Sequence, residues 1–213
     1  MPQSTGYNLT QEITKTLEHL INEGLTSADD LIDMCFGLLV DDYPEETLRK
    51  RIPIVYARVN RETLKNQAAW PSKTHCDQLD SAFLRLLRLR ILALHVCGHC
   101  QSCGFAMVKR FADEIGSDKP VNGFVFYHAQ DVTRVIETHN MYLCFGSSDG
   151  ASNTMKNVGR KLVAVLTEEG FSPIWSGDID ERIVIPDFDW KRRWPNHHQD
   201  AVKDYKALAV QDL

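Results

Sequence analysis

The apolar residues of this chain change their spacing near residue 90, and this change constrains the fold more than any other feature. Before it, apolar residues recur at helical spacing, and Thr10, Ser27 and Pro44 stand where helices would start. After it, short runs rich in aromatic and β-branched residues alternate with helical segments. The sequence therefore predicts a helical region followed by a sheet with helices packed on it.

The second half reads as strand, helix, strand, strand, helix, strand. This is the βαββαβ order of a ferredoxin-like sandwich, in which helices cover an antiparallel sheet. We therefore predict an α+β fold with a helical region at 1–88, a ferredoxin-like domain at 89–189 and a C-terminal tail or short helix at 190–213. The strand segments are ILALHV (91–96), GFVFYH (123–128), MYLCFG (141–146) and RIVIP (182–186).

Bulk properties narrow the class of protein. The net charge of −5 argues against a nucleic-acid binder, and a short basic run such as KRRW at 191–194 is typical of a solvated tail. No apolar stretch reaches the roughly 18 residues that a membrane span needs. The N-terminus does not resemble a secretory signal, so we expect a cytoplasmic protein whose six cysteines are reduced thiols.

Three cysteines cluster in the segment HVCGHCQSCGFAMV, residues 95–108. Within it, Cys100, Cys103 and Gly104 form a C-x-x-C-G turn of the kind found in zinc knuckles. Zinc takes four thiolate or imidazole ligands in a tetrahedron, so two further ligands would be needed. The residues that could supply them are His75, Cys76, Cys97, His99 and His128.

Two other interpretations of the same segment stay open. Cys100 and Cys103 lie between a predicted strand and a predicted helix, where the helix dipole would lower the pKa of a thiol and favour redox chemistry. Alternatively, the cysteines are small residues buried in a tight turn against the core.

A histidine and a carboxylate stand three residues apart at the end of a predicted strand. His128 and Asp131 could form a general base with its orienting carboxylate, and they are the candidate catalytic residues. The same spacing also suits a turn in which Asp131 caps a following helix, DVTRVIE.

Several stretches, in the same order along the chain, resemble an uncharacterised bacterial family, a domain of unknown function. They include WPSKTHCDQLD (70–80), CQSCG (100–104), GFVFYHAQD (123–131) and MYLCFG (141–146). The family's pattern has cysteines at the positions of Cys76, Cys100 and Cys103, and a further cysteine where this chain has His99. Because a histidine can replace a cysteine as a metal ligand but not in a disulfide, the resemblance implies a zinc site of these four residues, with Cys97 as a substitute ligand.

The family that the chain resembles has no established reaction, so two functional hypotheses remain. The first is a binding or regulatory module without turnover, such as an immunity-type protein that blocks a toxin, with a protein partner and a structural zinc site. The alternative is a metal- or thiol-dependent enzyme that uses Cys100, Cys103 and His128. The alternative requires these three residues to converge in one cleft.

Overall fold

The computed structural model describes residues 4–116, 121–195 and 207. Among these residues, no helix is long and apolar enough to cross a membrane. The described elements are α1 (Ser4–Glu23), α2 (Leu31–Leu39), α3 (Glu45–Gln67), α4 (His75–Arg88), β1 (Ile91–Leu94), α5 (Gln101–Ile115), β2 (Gly123–Phe126), α6 (Ala129–Thr138), β3 (Met141–Ser147), α7 (Ser152–Glu168) and β4 (Ile183–Ile185).

The chain divides into two compact units. Among the described residues, one unit comprises 4–72 with 191–195, and the other comprises 73–116, 121–190 and 207. Helix α4, which the sequence places in the helical region at 1–88, packs on β1 and α7 of the second unit. It does so because its apolar face, including Leu79, Phe83 and Leu86, is buried there. The boundary between the units therefore precedes α4.

The first unit is a cluster of three helices, α1, α2 and α3, with an apolar core. Helix α3 runs uninterrupted through Pro53, although a proline inside a helix usually breaks or kinks it. The start of the predicted C-terminal tail also belongs to this unit, since Trp194 is buried and its Nε1 donates to Oδ1 of Asn60 over 2.8 Å. The rest of that tail, including the predicted short helix, lies outside the described residues apart from residue 207.

The second unit contains a mixed four-stranded sheet in the order β1-β2-β3-β4. The α+β class is confirmed, but the expected antiparallel sheet is wrong for β1 and β2, which pair in parallel. Parallel neighbours require a crossover, and α5 supplies it. The ferredoxin-like order also fails, because α6 separates β2 from β3 where the sequence analysis places two successive strands. The remaining pairs, β2 with β3 and β3 with β4, are antiparallel.

Helices cover both faces of this sheet. A Cβ at Gly123 would touch Val158 of α7, so that face of β2 packs on α7. Successive side chains of a strand point to opposite faces. Accordingly, Phe126 packs edge-on against Phe105 of α5 on the other face, with ring centroids 5.2 Å apart. The face covered by α5 is the one that carries the candidate site.

Helix α5 lies so close to the sheet that only glycine fits at one position. A Cβ at Gly104 would collide with the ring of Phe126 and would come within 2.8 Å of the Cys97 carbonyl oxygen. We expect Gly104→Ala to lower the free energy of unfolding by about 1–3 kcal/mol, because a backbone oxygen cannot easily move away. Urea unfolding followed by circular dichroism measures this loss.

Gly37 in α2 provides the matched control, since a Cβ there would meet nothing within 4 Å. Gly37→Ala should stabilise the protein by roughly 0.5–1 kcal/mol through the better helix propensity of alanine. Equal losses in the two variants would contradict the close contact at Gly104.

Candidate functional site

The candidate site begins in the loop that follows β1. The N–H of Cys97 donates to the carbonyl of Tyr127 over 2.8 Å. The segments that follow β1 and β2 therefore stay hydrogen-bonded side by side beyond the ends of the two strands. Gly98 then turns the chain with a φ of +77°, and a Cβ there would lie 2.9 Å from the Cβ of Cys103. Glycine is therefore required at this turn. After the turn, Cys100 takes an extended conformation and becomes the N-cap of α5.

This loop is paired with the start of α6. The N–H of Ala129 donates to the Gly98 carbonyl over 3.0 Å, and the N–H of Gln130 donates to the His99 carbonyl over 3.3 Å. The start of α5 and the start of α6 thereby become neighbours and form the walls of a cleft of about 600 Å³. The cleft is lined by Cys100, Gln101, Ser102, Phe105, His128, Gln130, Arg134 and Arg182.

Two thiols lie together at the start of α5. The sulfur atoms of Cys100 and Cys103 are 3.4 Å apart, and Sγ of Cys100 is also 3.2 Å from Oγ of Ser102. Hydrogen bonding from Ser102, followed by the backbone N–H and the thiol of Cys103, lowers the pKa of Cys100 to about 7. Burial has the opposite effect elsewhere, since it raises the pKa of Cys97 to about 12. Cys100 is therefore substantially ionised at neutral pH, whereas Cys97 is not.

A buried ion pair stands on the α6 side of the cleft. Asp131 is fully buried, and its Oδ2 accepts from Nη2 of Arg182 over 2.6 Å and from the backbone N–H of His128 over 3.1 Å. Nη2 of Arg182 also donates to the carbonyl of Tyr142 over 2.8 Å. The carboxylate therefore caps α6, as one of the two sequence interpretations expects, and holds Arg182 against β3 at the same time.

The imidazole of His128 lies against the same carboxylate, with Nε2 3.2 Å from Oδ2 of Asp131. Burial lowers the pKa of His128, which favours the neutral imidazole at pH 7.

Three buried atoms of this group have no hydrogen-bond partner among the described residues: Nδ1 of His128, Oδ1 of Asp131 and Nε of Arg182. Buried polar atoms are nearly always paired in folded proteins, because leaving them unpaired costs free energy. The three atoms belong to one group of side chains behind the α6 wall of the cleft.

The predicted metal ligands are only partly brought together. Cys76 is fully buried in α4, and the buried thiol of Cys97 donates to the Gly104 carbonyl over 3.4 Å. His99 is exposed. In the described parts of the chain, no three His, Cys, Asp or Glu side chains are grouped so that they could hold a metal ion. Zinc binding stays a prediction, and the close pair within the predicted ligand set is Cys100 with Cys103.

The cleft lining includes Arg134, Arg182 and Phe105, to which the sequence patterns assign no role at a site. Arg134 lies one helical turn after Asp131, a spacing that signals a surface ion pair rather than a cleft. Arg182 comes from the segment before β4, and nothing in its local sequence connects it to residue 131. Phe105 reads as a core residue of α5, yet it is 41% exposed.

The Asp131 carboxylate should be important for stability. Asp131→Asn removes the charge that compensates Arg182, whose side chain is only 20% exposed. We expect the free energy of unfolding to fall by about 3 kcal/mol, since an unpaired buried charge remains. Chemical denaturation checks this, and Asp180→Asn at an exposed position should change stability by less than about 0.5 kcal/mol. Similar small effects in both variants would contradict the buried ion pair.

The Ser102 hydroxyl should control the ionisation of Cys100. Alkylation of Cys100 by iodoacetamide, quantified by peptide mass spectrometry, should rise with pH with a midpoint near 7. Ser102→Ala should move this midpoint upward by about one pH unit, because it removes the largest stabilising interaction of the thiolate. Ser148→Ala, at an exposed serine outside the cleft, should leave the midpoint in place. An unchanged midpoint in both variants would refute this role of Ser102.

Comparison with known proteins identifies the family but not the reaction. No curated protein and no solved structure matches this chain. One family model, described as a domain of unknown function (DUF6891), matches residues 7–194. The match confirms the expected membership of an uncharacterised family and covers the whole of the candidate site. This chain belongs to the DUF6891 family.

Proposed function

We propose that this protein catalyses thiol–disulfide exchange, with Cys100 as the attacking thiolate and Cys103 as the resolving thiol. One observation carries the proposal: the two sulfur atoms lie 3.4 Å apart at the start of a helix, and Cys100 lines an open cleft. A nucleophilic thiol needs access to substrate, a lowered pKa and a second thiol within reach. Cys100 meets all three conditions.

The exchange proceeds in two balanced steps. The Cys100 thiolate attacks one sulfur of a substrate disulfide, so that a Cys100–substrate disulfide forms and the other substrate sulfur leaves as a thiolate. Cys103 then loses its proton and attacks Sγ of Cys100, which releases the second substrate thiolate and forms a Cys100–Cys103 disulfide. The substrate is reduced by two electrons and the protein is oxidised by two. A small thiol or a partner dithiol returns the protein to its reduced form.

Surrounding groups support the thiolate. The N-terminus of α5 carries partial positive charge, which stabilises an anion at Cys100. His128 lies on the opposite wall, and burial lowers its pKa, which favours a neutral imidazole beside the cleft. Arg182 and Asp131 hold this imidazole in place.

The two other hypotheses, a binding module and a structural zinc site, predict different behaviour of Cys100 and Cys103. A binding or regulatory module with a protein partner needs no reactive thiol, so Cys100 and Cys103 would react slowly and alike. A structural zinc site would hold about one metal ion per chain, which would be lost on replacing both cysteines. Measurements at Cys100 and Cys103 therefore separate the three hypotheses.

The decisive test traps the intermediate. Reduced protein is mixed with hydroxyethyl disulfide, a neutral probe, and the products are identified by mass spectrometry. Wild type should lose two hydrogen atoms as the Cys100–Cys103 disulfide forms, whereas Cys103→Ser should retain the probe on Cys100. Cys100→Ser should react at least roughly tenfold more slowly, since it lacks the activated thiolate.

Cys35→Ala is the matched control, because Cys35 is fully buried in the first unit and burial raises its pKa to about 11. This variant should react as wild type does. Equal reaction rates in Cys100→Ser and Cys103→Ser, or one zinc per chain that disappears when both are replaced, would overturn the proposal.

A further inference from the structure

We propose that the cleft is selective for disulfides that carry a carboxylate, and that Arg134 binds this carboxylate. The inference rests on the proposed exchange activity and adds the chemical class of its substrate. It follows from the charges, the exposure and the apolar surface of the cleft walls.

The α6 wall of the cleft carries an arginine without a close carboxylate. Arg134 and Arg182 are the two arginines that line the cleft, and no Asp or Glu is among its lining residues. Asp131 lies 2.6 Å from Nη2 of Arg182 but 4.0 Å from Nη1 of Arg134. The positive charge of Arg134 is therefore the less tightly paired of the two.

The Cys100 thiolate does not use up this charge. Its low pKa arises chiefly from hydrogen bonds with Ser102 and Cys103, not from a guanidinium group. The positive charge on the opposite wall is therefore available to a ligand while Cys100 is ionised.

The two arginines differ in how firmly they are held. Arg182 is 20% exposed and donates both to Asp131 and to the Tyr142 carbonyl. Arg134 is 49% exposed, and its Nη1 is 4.0 Å from Oδ1 of Asp131, which is too long for a hydrogen bond. The guanidinium of Arg134 lies over the ring of Tyr142, with the carbon atom 5.2 Å from the centroid. Arg134 is therefore positioned in the cleft but keeps donors for a ligand carboxylate, which a guanidinium can bind with two parallel hydrogen bonds.

The remaining lining residues fit the rest of such a substrate. Phe105 provides an apolar wall at the start of α5, and Gln101, Ser102 and Gln130 add hydrogen-bonding side chains. A cleft of about 600 Å³ falls within the size range of small-molecule sites. This combination suits a small organic disulfide with an anionic end.

Three disulfide probes of different charge test the inference. They are dithiobis(nitrobenzoate), which carries two carboxylates, neutral dithiodipyridine, and cystamine, which carries two ammonium groups. Rates are measured on the Cys103→Ser protein, so that only the first attack by Cys100 is observed. Each rate is divided by the rate of mercaptoethanol with the same probe, which removes differences in intrinsic reactivity.

We expect the normalised rates to fall in the order anionic, neutral, cationic. Arg134→Gln should lower the rate with the anionic probe roughly fivefold and leave the neutral probe unchanged, as expected for the loss of one short-range charge pair in water. Arg134→Lys should retain most of the preference. Arg160→Gln, which removes an exposed arginine of α7 outside the cleft lining, should retain all of it.

The outcomes distinguish carboxylate selection from the exchange activity on which it rests. If Cys100 reacts with the probes but shows no preference for charge, or if Arg160→Gln matches Arg134→Gln, carboxylate selection is wrong and exchange activity stands. If Cys100 reacts with none of the three probes, both the exchange activity and the substrate class are overturned.

Discussion

Backbone hydrogen bonds between the loop after β1 and the first turn of α6 hold the two walls of the cleft together. The first N–H groups of a helix have no partner within the helix. Here the N–H groups of Ala129 and Gln130 bond to the carbonyls of Gly98 and His99. Opening the cleft would leave these groups unpaired, and the loop is therefore fixed by the helix that it caps. The position of Cys100, two residues after Gly98, depends on this pairing.

The buried carboxylate of Asp131 also holds the site together, because it links α6 to the segment before β4 and, through Arg182, to β3. It accepts from the backbone N–H at the start of α6, contacts the imidazole of His128 and pairs with Arg182, which immediately precedes β4. Arg182 in turn donates to the carbonyl of Tyr142 in β3. A buried charge must be compensated. Arg182 meets that requirement, and Arg134 stays available at the cleft surface. The buried ion pair that stabilises the fold therefore also determines which of the two arginines is exposed in the cleft.

Local features of the fold could be predicted from the sequence, and long-range features could not. Helical periodicity and glycine turns identify most helices and strands, because both signals act within a few residues. The parallel pairing of β1 with β2 joins segments that α5 separates in the chain. The helix α6 is only one of the two structures that the spacing of His128 and Asp131 suits. The same division holds at the site. Cys100, Cys103, His128 and Asp131 belong to recognisable local patterns, whereas Arg182 reaches Asp131 across 51 positions of the chain.

In the cysteine segment, three residues of chain separate a thiol whose pKa is raised from one whose pKa is lowered. Cys97 lies in the strand extension and is buried, which raises its pKa to about 12. After the turn at Gly98, Cys100 starts a helix at the edge of a cleft, and its pKa is about 7. The side chain at position 99 is exposed between them. The proposed exchange uses Cys100 and Cys103 because their sulfur atoms lie 3.4 Å apart.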